Sequence, residues 1–212
     1  MRAIRVLLPL MMAVLGLSGC QPGGDDNPIA GYQTADPLVL RTPPAPMPIP
    51  EVTLVGVDGE RDVSDLFGDR WTLFYVGYSY CPDICPTELG QLSRILPALQ
   101  ERMPEIPWQV VFLSVDPQRD TPEHLAKYTA FFSREFVPVT GSREAIDAVT
   151  GAVKAGYRIE PHEAGEVTYN VDHDTSFRLI DPSGRMLALL PGPHDPAAIV
   201  DALANFMSEV NE

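Results

Sequence analysis

Basic residues are scarce in this chain: 15 Lys and Arg stand against 29 Asp and Glu in 212 residues, a formal charge of -14. An acidic surface repels phosphate backbones and anionic lipid headgroups, which excludes nucleic acid and a charge-bound membrane surface as partners. Basic proteins or cations suit it better. Cysteine is nearly absent, and its count of three is odd for an exported chain. No segment repeats, which excludes solenoids and propellers. No tract of clustered Met or His occurs beyond the first twenty residues, so a bulk store of soft metal ions is excluded as well.

Long apolar runs without charge are missing apart from VLLPLMMAVLGL near the N-terminus, which follows Arg2 and Arg5. That run is too short and too lightly flanked for a membrane span and reads as an export signal over residues 1–19. Its end, Leu17-Ser18-Gly19-Cys20, resembles the lipobox of bacterial lipoproteins. The resemblance implies cleavage before Cys20 and a lipid on that cysteine. Cys81 and Cys85 then remain as a pair. Residues 20–50, rich in Gly, Pro, Asp and Asn and ending in RTPPAPMPIP, read as an extended lipid-anchored tether. The folded domain is expected over 51–212, long enough to bury a core without disulfide staples.

Within that domain, VTLVGVDGE suggests a short strand and turn. WTLFYVGYSY is an almost unbroken apolar and aromatic run, as expected of a buried central strand. TELGQLSRILPALQERM has helical periodicity, with Pro97 expected to end or kink it, and Pro86 places the helix start near itself. PWQVVFLSVDP reads as a second buried strand, and TPEHLAKYTAFFSREF as a helix capped by Thr121 with Pro122 at its first position. A strand near FVPVTG, a helix from about Ser142, a hairpin of SFRLIDP and RMLALLP, and a closing helix from about Asp195 complete the order. Parallel strands with helical crossovers, then a hairpin and a last helix, predict an α/β thioredoxin-like sandwich with a central mixed β-sheet flanked by helices.

The stretch YCPDICP places Cys81 and Cys85 at the carboxyl end of the first buried strand, where open α/β sheets bind ligands and a helix N-terminus favours thiolates. Both thiols are expected to be accessible and partly ionised. As a staple, the pair would close so short a loop that it stabilises by only about 2 kcal/mol before strain is subtracted. As a redox couple, it has three intervening residues where thioredoxin-type motifs have two. As a clamp, two thiolates suit Cu(I) or zinc but rarely complete such a site. Among the four histidines, His124, His162 and His194 lie in a helix or in polar loops. His173 stands between an apolar strand and the expected mobile segment EPHEAGEVTYN, with Asp172 and Asp174 beside it to orient the ring.

CPDICPTEL, SVDPQRDTPEHLAKY and YNVDH, in this order and at these separations, resemble the Sco/SenC family of copper-binding assembly factors. The resemblance covers about Glu51 to Phe206. It implies a thioredoxin-like fold and one copper ion, as Cu(I) or Cu(II), held by Cys81, Cys85 and His173, with Asp116 as a supporting or weak ligand. The implied function is assembly of the binuclear copper centre of cytochrome c oxidase. The implied partners are the apo copper-binding subunit, other periplasmic copper chaperones and thiol oxidoreductases. The implied location is the inner membrane, facing the periplasm through the lipid anchor. A thiol-disulfide reductase acting through Cys81 and Cys85 stays open as the rival. Arg119 and Asp120 are expected to shape the loop of Asp116, and Asp83 and Glu88 to solvate the site rim. Arg178 falls where the resemblance leads to an aromatic and is expected to alter a partner surface. Tyr80 replaces a histidine that some relatives carry.

Overall fold

The computed structural model describes residues 33–36, 39–163 and 165–210, all within a compact unit formed by 31–212. The expected signal peptide and Cys20 lie outside the described residues. Among the described residues no helix is long and apolar enough to cross a membrane.

The frame is a sheet of β6 (Trp71–Gly77), β7 (Trp108–Ser114), β8 (Phe136–Val139), β11 (Phe177–Ile180) and β12 (Arg185–Leu190), extended at one edge by β2 (Leu40–Thr42) and β1 (Gln33–Asp36). Its order is β1-β2-β12-β11-β6-β7-β8, with β3 (Met47–Pro48) also paired to β12. Strands β6, β7 and β8 run parallel, joined through α2 (Ile84–Arg102) and α3 (Pro122–Ala130), whereas β11 and β12 form an antiparallel hairpin. Both predicted central strands are buried almost throughout, as parallel strands covered on two faces must be. Two smaller hairpins stand apart, β4 (Thr53–Gly56) with β5 (Gly59–Asp62), and β9 (Tyr157–Ile159) with β10 (Val171–His173). Helices α1 (Val63–Phe67), α4 (Arg143–Ala152) and α5 (Pro196–Val210) complete the unit.

Local chemistry accounts for the helix boundaries. The Thr121 side chain accepts from the His124 backbone N–H, and Ser142 does the same for Ala145, so α3 and α4 begin with side-chain caps.

Two expectations change and one holds. The stretch expected to be a free tether is partly in the sheet, since Leu40 is 1% exposed and β2 and β3 both bond to β12. An extended Pro-rich chain suits a sheet edge, where few of its N–H groups need partners. Helix α2 begins near Pro86 as expected, at Ile84, so that proline lies in the first turn, where its missing N–H costs nothing. Finally, α2 runs through Pro97 to Arg102. Leu92, Ile95, Leu96 and Leu99 are buried on both sides of the proline while Pro97 itself is exposed. Burial of that stripe outweighs one lost hydrogen bond.

Candidate metal centre

Strand β6 ends at Gly77, and the chain turns through Tyr78–Asp83 into the first turn of α2, which carries Cys85. Glycine at 77 is a steric requirement: a Cβ there would lie 2.7 Å from Cys85 Sγ and 2.9 Å from the Phe112 ring. The sulfur therefore packs directly on the strand end. Cys85 is 0% exposed and Cys81 is partly buried, and both are free thiols. The expected accessibility thus holds only for Cys81, because Cys85 sits in the helical turn that faces the sheet.

His173 closes the group from the β9–β10 hairpin. Its Nε2 lies 3.2 Å from Cys85 Sγ, and its Nδ1 lies 3.0 Å from the Asp174 backbone oxygen. A carbonyl only accepts, so the contact with Asp174 places a proton on Nδ1 and turns Nε2 toward the sulfurs. Edge-on rings of Tyr75 and Tyr78, with centroids 6.1 and 5.8 Å away, wall the imidazole. One donor atom from each of Cys81, Cys85 and His173 lies within 4.8 Å of the others.

The two thiols are unequal. Hydrogen bonding from Cys85, including its backbone N–H at 3.5 Å from Cys81 Sγ, holds Cys81 well below the usual thiol range. Burial pushes Cys85 far up, and its hydrogen bond to Cys81 adds to the effect. The two opposed shifts favour one thiolate, on Cys81, beside one thiol, on Cys85. Burial likewise pushes Tyr75 and Tyr128 above the usual phenol range, and the Tyr128 hydroxyl has no hydrogen-bond partner among the described residues.

The surrounding loops are tied to one another. Asp116 is fully buried outside the three-donor cluster: Arg119 Nε donates to one carboxylate oxygen at 2.5 Å and the Tyr169 hydroxyl to the other at 2.6 Å. Its carboxylate thereby ties the loop of Arg119 to the segment that carries Tyr169. Arg119 Nη1 also donates to the carbonyls of Val167 (3.1 Å) and Tyr169 (2.9 Å), so the segment expected to be mobile is anchored at its C-terminal half. Asp120 accepts from the Ser79 N–H, the Ser79 hydroxyl and the Ser114 hydroxyl, fixing the turn two residues before Cys81. His124 bonds Ser79 Oγ at 2.9 Å and stacks on Tyr80, while His162 stacks on Tyr169.

Two further residues lie elsewhere than expected. Glu88 does not line a solvated rim. It is 6% exposed and bonds His194 Nδ1 at 2.6 Å, while His194 Nε2 lies 2.9 Å from the Leu190 carbonyl and the ring stacks on Phe177. Glu88 stands one turn beyond Cys85 on the face of α2 that packs inward, a spacing legible in the sequence, but its distant partner His194 was not. Arg178 is fully buried and so contributes to no surface.

The SCO1/SenC family model matches residues 46–208. The chain belongs to the SCO1/SenC family. It is 36% identical over 131 residues to the mitochondrial SCO1 homolog of Homo sapiens, covering 61% of this chain and 42% of that protein. It is 37% identical over 135 residues to the SCO2-like protein RP587 of Rickettsia prowazekii (strain Madrid E), covering 63% and 64%. The chain thus spans less than two thirds of either relative. Among solved structures it is similar to yeast Sco1 with copper bound, with TM-score 0.70 and 27% identity over 77% of this chain and 90% of that one. The expected thioredoxin-like sandwich, a mixed sheet flanked by helices, is the fold observed for this SCO1/SenC protein.

Proposed function

We propose that this protein is a copper metallochaperone that serves assembly of the binuclear copper centre of cytochrome c oxidase and carries one copper ion on Cys81, Cys85 and His173. The observation that carries this reading is the convergence of two sulfurs and one imidazole nitrogen within 4.8 Å. Thiolates favour Cu(I), and the added nitrogen donor supports Cu(II), so the donor set accepts either state of the cargo. Cys81 supplies a thiolate, Cys85 gives up its proton on loading, and His173 presents Nε2 to the ion. The copper-bound yeast relative supports the choice of metal.

Delivery requires the site to let go. His173 is the ligand best placed to leave first, because it comes from a two-stranded hairpin outside the main sheet. The apo copper-binding subunit of the oxidase would replace it with its own ligand and draw the ion across by exchange. Export through residues 1–19 and a lipid on Cys20 would hold the protein at the inner membrane facing the periplasm, where other copper chaperones and thiol oxidoreductases are the natural suppliers of copper and electrons.

The lowered Cys81 thiol beside a protonated Cys85 favours a second reading, a thiol-disulfide reductase that keeps the subunit's copper-ligating cysteines reduced. The two separate on His173. Incubating the copper-loaded protein with the apo subunit, alongside His173→Ala, tests both: loss of transfer in the variant supports delivery. Full activation by His173→Ala that depends only on Cys81 and Cys85 would replace it with the reductase.

A further inference from the structure

Arg178 heads the largest side chains that are fully buried among the described residues. Its guanidinium donates from Nε to Val153 O (3.2 Å), from Nη2 to Lys154 O (3.1 Å), and from Nη1 to Ser176 O (2.6 Å) and Asp174 Oδ1 (2.7 Å). Val153 is the C-cap of α4, so two of the four acceptors lie at the negative end of a helix, where a cation is favoured. Asp174 supplies the carboxylate that a buried guanidinium needs.

Asp174 follows His173 directly and is bonded through its backbone and its side chain. Its N–H donates to Gly156 O at 2.9 Å, Oδ1 also accepts from the Ser176 N–H at 2.8 Å, and its carbonyl accepts the Nδ1 proton of His173 at 3.0 Å. That last bond selects the tautomer that points the Nε2 lone pair at Cys85. His173 ends a strand of three residues that pairs with the equally short β9. So short a hairpin holds the ring weakly, and Arg178 ties the next residue to the end of α4.

We propose that Arg178, acting through Asp174, is a positioning residue that holds His173 with Nε2 toward the two sulfurs. As a positioning residue for copper it rests on the three-ligand reading above, whereas its hold on the ring exists without metal.

The test begins with the reduced, metal-free protein, in which nitrogen-15 shifts of the His173 ring report the tautomer. Wild type should show Nδ1–H alone. Asp174→Ala keeps the three carbonyl acceptors of Arg178 and should show a mixture of tautomers, as should Arg178→Met. Asp174→Asn keeps an acceptor oxygen and should restore the wild-type pattern. Should Arg178→Met not fold, the two Asp174 variants decide. In the copper arm, Asp174→Ala should weaken Cu(II) binding by about tenfold or more, the range for residues that orient a metal-binding histidine. It should add nothing further in a His173→Ala background. Unchanged tautomers in Asp174→Ala, or additive losses with His173→Ala, would overturn the proposal. If wild type binds no copper, the chaperone reading fails while the tautomer measurement still judges the clamp.

Discussion

Gly77→Ala places a methyl group where Cys85 Sγ and the Phe112 ring already stand, at 2.7 and 2.9 Å. Ordinary contact lies at about 3.5–4.0 Å, so something must retreat by about 1 Å. Phe112 is fully buried on β7, paired on both sides. The Cys85 sulfur, in a helix's first turn, is the softer neighbour. Overpacking of this kind costs about 1–3 kcal/mol. For a folded unit of this size each kcal/mol lowers the unfolding midpoint by about 2–4 °C. The effect on metal binding should be proportionately larger, because metal–ligand distances tolerate only about 0.2 Å. Thermal unfolding of the reduced, metal-free protein and chelator competition for Cu(I) measure the two effects. A coupling test isolates the sulfur's share: in a Cys85→Ala background only the clash with Phe112 remains, and Gly77→Ala should cost less. A cost below about 0.5 kcal/mol would refute the steric argument, and an equal cost in both backgrounds would refute the sulfur's part in it.

Further outcomes follow from the same geometry. Loading with Cu(I) near pH 7 should release about one proton per ion, since Cys81 is held deprotonated by its bonds from Cys85 while burial keeps Cys85 protonated. Affinity should therefore climb about tenfold per pH unit through the neutral range, and release of two protons in an unbuffered titration would contradict the assignment. Tyr169→Phe strips one donor from the buried Asp116 carboxylate and should cost about 1–3 kcal/mol in urea unfolding. It should also speed amide exchange across residues 160–170, and unchanged exchange there would separate Tyr169 from that segment. Asp120→Asn leaves one carbonyl oxygen to serve three donors from Ser79 and Ser114, so a loss of about 1–3 kcal/mol is expected. Stability equal to wild type would show that the turn before Cys81 is held by other contacts.

Whereas His173 was reached only through the family resemblance, the central strands, the capped helix α3, the β11–β12 hairpin and the Cys81–Cys85 pair were legible in the sequence. Each is signalled locally, by an apolar run, a Thr-Pro pair, a Pro-Ser-Gly turn or a short motif. What was not legible depended on distant partners. Prolines near residue 45 read as a tether until β12 supplies an edge to pair with. Pro97 read as an end or a kink because four buried neighbours on α2 had no visible counterpart. Glu88 and Arg178 read as surface charges because His194, 106 positions from the first, and the α4 carbonyls near Val153 cannot be paired with them by spacing. Cys85 read as accessible because periodicity does not reveal which turn of a helix abuts Gly77.

The central claim is that two sulfurs and one nitrogen hold a single copper ion. Anaerobic titration of the reduced protein with Cu(I) under a competing chelator, and with Cu(II) followed by sulfur-to-copper charge-transfer absorption, tests it most directly. Cys81→Ser, Cys85→Ser and His173→Ala are to be run in parallel. The account predicts one equivalent bound tightly, loss of that binding with either serine, and a lost or weakened Cu(II) band with His173→Ala. Weak binding by the unaltered protein, or a band indifferent to His173, would contradict it.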